Sequence, residues 1–243
     1  MRGEKLAVYR GFLFVVFLSL TGGCATTGSG DPRDPFEGFN RGVYSFNQTM
    51  DDVLFDPVGS LYRTVTPEIV DRGITNFFSN LNEIAVIANG LLQFQINQAM
   101  SDTLRFIYNS TFGLLGFFDI STPIGMPKHN EDFGQTLAVW GINSGPYLVV
   151  PFFGPTTVRD ATGFIVDRGV LSPIFYINDT GLKAGLMTMN YIDFKSDLLS
   201  TRKLLGEAAP DEYEFVKNAY FEKRASQISG EESAVPDFEE EGN

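Results

Sequence analysis

The chain's only cysteine, Cys24, stands directly behind a basic and apolar leader, and this placement limits what the rest can fold into. Arg2, Lys5 and Arg10 flank or precede an almost unbroken apolar run at 11–20, which is too short to span a bilayer. Thr21, Gly22 and Gly23 follow, so residues 1–23 read as an export signal and Cys24 as the first mature residue. An exported chain with one cysteine has no internal disulfide. Its body must hold together by packing and polar contacts alone.

The leader is similar to a bacterial lipoprotein signal, in which a small residue precedes a cysteine that becomes lipidated. Here Thr21 takes the position where Leu is usual, and Leu20 lies one place earlier. The expectation is a diacylglyceryl cysteine at Cys24 that also carries an acyl chain such as palmitate. Each buried methylene contributes about 0.8 kcal/mol, and stable anchoring needs more than one chain. Ala25 replaces the Asp that tends to hold such lipoproteins at the inner membrane, so the expected destination is the outer membrane.

Removing residues 1–23 takes away three basic residues and one acidic residue, which moves the net charge from −12 to −14. A nucleic-acid partner is excluded, because phosphate binding needs a basic footprint. Adhesion to an anionic leaflet through a polybasic helix is disfavoured on the same ground. Membrane contact by the folded body would have to come from apolar area.

The mature chain divides into a Gly/Ser/Thr/Pro tether at 24–33, one folded body at 34–228 and a tail at 229–243 with six acids and no Lys or Arg. Phe36, Phe39, Val43, Phe46 and Met50 recur at helical spacing and predict an amphipathic helix over 36–52, with Glu37, Arg41, Ser45, Gln48 and Asp52 opposite. Thr66-Pro67-Glu68 marks a second helix start, with Ile69, Val70, Ile74, Phe77, Phe78 and Leu81 on its apolar side. A third helix is expected over 94–110, with Ile96, Met100, Leu104 and Ile107 in register. The stretch 111–120 is apolar on all sides and broken by Gly113 and Gly116, so it must be buried in protein or in lipid. Residues 141–155 hold a β-branched run between Gly145-Pro146 and Pro151 and read as a stiff hairpin or loop. Further helices are expected over 157–170, 182–205 and 212–226. No mature segment has 18 consecutive apolar residues, which leaves a soluble helical core or helices lying within one leaflet. Phe, at 23 copies against 9 Tyr and one Trp, suits the acyl region but serves an ordinary core equally well; composition alone favours the soluble core.

Enzyme constellations are absent from the sequence. One His and one Cys exclude a His/Cys zinc cluster, and no nucleophile elbow, P-loop, dinucleotide fingerprint or EF-hand loop occurs. His129 reads as a loop histidine. Glu131 and Asp132 are adjacent and point apart, a poor acid/base pair, and read instead as acids at the start of a helix around 135–140. No catalytic residue, metal or cofactor is expected.

Five blocks in order, DPFEGFNRGVYSFN at 34–47, NFFSNLNE at 76–83, RFIYNSTFGLLGFFD at 105–119, EDFGQTLAVWGINSGPYLVVPFFGP at 131–155 and VRDATG at 158–163, resemble the signature segments of VacJ/MlaA lipoproteins. YEFVKNAYFEKR at 213–224 fits the family's C-terminal helix, with Lys217 where Arg is more usual. The resemblance implies a mostly helical ring in the periplasmic leaflet of the outer membrane, with a hairpin beside a central polar channel. It implies extraction of mislocalised phospholipid from the outer leaflet, with a trimeric porin and a soluble periplasmic carrier as partners, which keeps the outer membrane asymmetric. On this view Phe36, Phe39, Val43, Phe46 and Met50 face the membrane, and Gly141, Gly145, Pro146 and Pro151 shape a hinged channel hairpin. An envelope scaffold and, more remotely, a periplasmic lipid hydrolase are the competing functions.

Overall fold

The computed structural model describes residues 30–208 and 210–230, so the expected signal, the first part of the tether with Cys24 and the acidic tail from 231 lie outside the described residues. The fold is mostly helical. Helix α1 (Glu37–Met50) runs into a π-helical segment (Asp51–Phe55) and then α2 (Asp56–Val65). Long antiparallel partners α3 (Glu68–Leu92) and α4 (Ile96–Thr111) follow, then short α5 (Phe133–Val139). A two-stranded antiparallel hairpin, β1 (Tyr147–Val150) and β2 (Gly154–Thr157), pairs Tyr147 with Thr157 and Val150 with Gly154. After it come α6 (Val158–Val166), a π-helical segment (Asp167–Leu171), a 3-10 turn (Pro173–Tyr176), α7 (Thr180–Ala208) and α8 (Glu212–Ser229).

Local chemistry sets the boundaries. Asp132 caps α5 by accepting the Gln135 N–H at 2.8 Å, which gives this acid the helix-start role expected of it. Thr157 and Asp211 cap α6 and α8 in the same way, and Gly230 closes α8 with a left-handed backbone. Helix α2 fills the stretch between the first two expected helices despite holding Pro57 and Gly59. Pro57 sits in the first turn, where no intrahelical N–H is lost, and Gly59 allows a close approach to α7, since a Cβ there would stand 3.3 Å from the Ser196 Cα.

The elements follow one another around a closed circuit of packing. The hairpin lies on α1 through β1 and on α6 and α8 through β2; α6 packs on α5, α5 on α3, α3 on α4 and α7, α7 on α2, and the π-helical segment returns to α1. Gly163 makes the α5–α6 crossing possible, since a Cβ there would stand 2.3 Å from the Gly134 nitrogen.

The polarity of this circuit is inverted. Among the described residues, nine hydrophobic side chains are buried against twenty polar or charged ones, and in a water-soluble core that ratio runs the other way. On α1 the buried residues are Glu37, Asn40 and Asn47, while Phe36, Phe39 and Phe46 are exposed. On α4 the buried set is Ala99, Asp102, Arg105 and Asn109, while Ile96, Met100, Leu104 and Ile107 are exposed. The soluble core that composition favoured is therefore not what the chain builds. The same residues form stripes as expected, but most of the stripes face outward. No described helix is long and apolar enough to cross a membrane.

Candidate functional site: a polar interior behind a docked hairpin

The hairpin is held by α1 through two asparagines seven residues apart, on one face of the helix. Asn40 donates to the Tyr147 carbonyl at 3.0 Å and accepts the Val149 N–H at 2.9 Å. Asn47 donates to the Val150 carbonyl at 3.1 Å and accepts the Phe152 N–H at 2.8 Å. Asn40 also donates to Asp34 at 2.7 Å, and Asp34 accepts the Tyr213 hydroxyl and lies 3.5 Å from the fully buried Lys217 ammonium. Tyr147, Val149 and Tyr213 form a small apolar core here, against which Val43, Tyr44, Tyr220 and Phe221 pack. Of the five residues expected to face the membrane, Phe36, Phe39 and Phe46 point outward, Val43 leans into this core and Met50 is half-buried.

The hairpin residues singled out in the sequence cluster at its ends. Gly141 is the left-handed residue after α5, at φ +85°, its N–H bonded to Ala138 and that of Ile142 to Leu137. Gly145, at φ +69°, sits before Pro146, whose carbonyl accepts the Val158 N–H at 3.2 Å. Pro151 leads into Phe152, which holds φ +69° in the hairpin turn while its ring meets Phe46 edge-on at 5.4 Å.

Two charged clusters lie inside. The first joins α3 and α4. Arg105, almost wholly buried, donates to the Met126 carbonyl at 2.6 Å, to Thr122 at 3.2 Å and to Asp119 at 3.2 Å, and its Nε lies 3.6 Å from Glu83. Asp119 is anchored in turn by Asn109 at 3.0 Å. Asp102, fully buried, contacts the His129 Nδ1 at 2.7 Å, so the loop histidine serves a neighbouring carboxylate. Burial raises the Glu83 carboxyl to about 7, with the Arg105 charge offsetting only part of the effect.

The second cluster joins α5, α6 and α8. Arg224 binds Asp132 at 2.6 and 3.0 Å and Asp160 at 2.9 and 3.1 Å, and Asp160 also accepts the Tyr220 hydroxyl. Burial pushes the Asp160 carboxyl up, but the Arg224 hydrogen bonds and charge outweigh it and hold the group at about 2. A cavity of about 190 Å³ adjoins this cluster, lined by Asp132, Asp160, Asp167, Arg224, Tyr220, Thr156 and Phe164. Glu131, the neighbour of Asp132, faces elsewhere and accepts from Gln93 at 2.8 Å and Gln98 at 2.9 Å. Among the described residues, no group of three His, Cys, Asp or Glu side chains is placed to hold a metal ion.

Sequence reasoning missed Asn40, Asn47, Glu83, Arg105 and Arg224 as organising residues. A signal was present for the first two, amides at i and i+7 within an apolar-striped helix. The partners of the others lie far away in sequence, and periodicity carries no information about them.

A mostly helical body with charges inside, greasy stripes outside and a docked strand pair belongs to the class of helical proteins whose interior is hydrophilic and whose outer face is apolar. The comparisons narrow this class. The family model for the MlaA lipoprotein matches residues 32–227. The intermembrane phospholipid transport system lipoprotein MlaA of Escherichia coli strain K12 is 34% identical over 207 residues, covering 83% of this chain and 81% of its own length. The Haemophilus influenzae protein of the same name is 27% identical over 212 residues, covering 84% of each. A solved chain from structural work on the maintenance of bacterial outer membrane lipid asymmetry superposes with a TM-score of 0.71 at 30% identity, covering 80% of this chain and 98% of that one. The chain belongs to the MlaA lipoprotein family.

Proposed function

We propose that this chain is a lipid-anchored protein of the periplasmic leaflet of the outer membrane that removes phospholipid from the outer leaflet through its polar interior. The inverted polarity of the helices carries the reading. Moving a phospholipid head through hydrocarbon costs several kcal/mol or more, because a charged group leaves water. Asn40, Asn47, Glu83 and Arg105 are buried among polar partners and hold the inner side of the helices together without a greasy lining there, so polar groups on that side can receive the head while the outward Phe, Leu and Ile side chains keep company with acyl chains. No covalent step is needed, and none of the buried charged clusters pairs a nucleophile with a free base. The tether anchors through Cys24, a trimeric porin holds the body in place, and a soluble periplasmic carrier receives the lipid. Gly141 and Gly145 serve as the ends of a hinged hairpin beside the passage.

The test is the surface lipid of a strain lacking the protein. A conduit predicts intact phospholipid accumulating in the outer leaflet, reversed by the wild-type chain and not by a Cys24→Ala variant. A hydrolase predicts missing lyso-lipid or fatty acid instead, and a scaffold predicts unchanged surface lipid; either result would overturn the proposal.

A further inference from the structure

Three buried side-chain atoms in the cluster that joins α3, α4 and the loop 119–131 have no hydrogen-bond partner: Glu83 Oε2, Asp102 Oδ2 and Arg105 Nε. Leaving such an atom unpaired in the interior costs free energy, and one unmade pair stands close. Arg105 Nε lies 3.6 Å from Glu83 Oε1, just beyond hydrogen-bond reach. The rest of the guanidinium is committed to the loop, with Nη1 donating to the Met126 carbonyl at 2.6 Å and to Thr122 at 3.2 Å, and Nη2 to Asp119 at 3.2 Å. A guanidinium is rigid and planar, so its Nε cannot move the roughly 0.7 Å to an ordinary contact of about 2.9 Å without drawing Nη1 and Nη2 off those partners.

Arg105 ties the loop to the helices. Asp119, bound to it, accepts the Ser121 and Thr122 N–H groups at 3.0 and 3.1 Å, and the Met126 N–H returns to the Ser121 carbonyl. At the far end of the loop His129 meets Asp102. Whether the guanidinium stays with the loop depends on the charge at Glu83. A neutral carboxyl leaves it there, as the structure shows; a carboxylate, buried and with an oxygen unserved, needs the Nε hydrogen. Burial is the largest influence and keeps the proton on Glu83; Arg105 opposes it, the Asp102 charge adds to it and Lys128 of the loop opposes it, with the balance at about 7. The acids that reach α3 from other elements, Asp193 at Thr75 and Asp167 at Asn89, sit about two turns away on either side.

We propose that the loop 119–131 is a proton-operated flap on the α3–α4 pair: with Glu83 neutral, Arg105 holds the loop down, and with Glu83 ionised the same guanidinium turns to Glu83 and lets the loop go. The proposal concerns how the loop is held and stands apart from any movement of lipid. The closed state carries the raised carboxyl, so opening releases a proton and is favoured as pH rises toward 7. Above that value Glu83 is ionised in both states, and opening gains nothing further.

Hydrogen–deuterium exchange of the full-length, lipidated protein in detergent, corrected for the pH dependence of intrinsic exchange, tests it. Peptides spanning 119–131 should lose at least about tenfold in protection between pH 5 and pH 7 and then level off, the limiting slope for one proton being about tenfold per pH unit. Their loss should exceed that of the 147–157 hairpin, and a loop that holds constant or falls no further than the hairpin overturns the proposal. Glu83→Gln, the neutral isostere, should keep the loop at its acid-side protection at every pH. Asp102→Asn, which removes the neighbouring negative charge, should move the levelling point to lower pH, and His129→Gln should leave the pH dependence in place. Persistence of the pH dependence in Glu83→Gln refutes the flap, and so does its loss in His129→Gln, which would make the imidazole the switch. Should Glu83→Gln fail to fold, the Asp102→Asn variant decides: a levelling point that stays put or rises contradicts the proposal.

Discussion

The hairpin region and the α3–α4 limb solve the same burial problem with different mixtures of apolar and polar contacts. Around the hairpin, Tyr147, Val149 and Tyr213 make an aromatic core of the usual kind, with Tyr147 ringed by Tyr213, Tyr220 and Phe221 at 5.6–6.2 Å. Along the limb, Glu83, Asp102, Arg105 and Asn109 are buried beside Phe78, Ala85, Val86 and Ala99, while Ile96, Met100, Leu104 and Ile107 stand outside. The difference teaches that one chain can fold around apolar contacts at one place and around hydrogen-bonded charge at another. Substitutions should therefore have opposite consequences in the two regions when detergent and lipid conditions are compared.

The largest expected effect lies beside the hairpin, in the cluster that joins α5, α6 and α8. Arg224→Ala removes the cation shared by the part-exposed Asp132 and the buried Asp160, which keeps Arg159 at 2.9 Å, and a loss of roughly 2–3 kcal/mol is expected, below the full cost of stranding a buried charge. Denaturant unfolding in detergent measures it, and a loss below about 1 kcal/mol would mean that the clasp is dispensable. Asn40→Ala removes the amide that serves both the Tyr147 carbonyl and the Val149 N–H. A cost of about 2–3 kcal/mol is expected from the stranded backbone groups, with the hairpin amides losing hydrogen-exchange protection before the limb does.

Titration separates the regions further. The Glu83 carboxyl stands at about 7 against an ordinary 4.5, so between these values the native state binds the proton that the unfolded chain has released. Its stabilising contribution is complete below pH 4.5, declines as pH rises and is gone above about 7. Glu83→Gln should flatten that decline and raise stability at pH 8 by on the order of 1–3 kcal/mol; thermal melts across pH 5–8 in detergent check it. The smallest effect belongs to the outer edge. Leu104→Ser should change stability in detergent by no more than about 0.5 kcal/mol, in the range of surface substitutions, whereas Val149→Ser in the hairpin core should cost several times that.

The sequence made the helices readable and left their orientation hidden. The 3-4 spacing of Phe36, Phe39, Val43 and Phe46 marks a stripe whether that stripe meets protein, water or lipid, so periodicity found α1 and could not say which way it turns. The Asp132 cap was legible because capping is local. Helix α2 was not, since Pro57 and Gly59 act as breakers in most contexts and are accommodated here by first-turn placement and a close approach to α7. The left-handed Phe94, Leu114 and Leu115 were out of reach for the opposite reason, as the local rule expects glycine there. The Arg224 clasp joins residues 92 and 64 positions apart, and only the tertiary fold brings them together.

Site-specific photo-crosslinking in cells examines the central claim most directly. Photoreactive phenylalanine analogues replacing Phe39, Phe46 and Leu104 report on the outer stripes, and those replacing Thr156 and Phe164, which line the cavity, report on the interior. The account predicts phospholipid adducts from the outer positions at all times, and adducts from the interior positions that rise when onward transfer of lipid is blocked. Protein adducts alone from the outer positions, with an interior that never captures lipid, would contradict it.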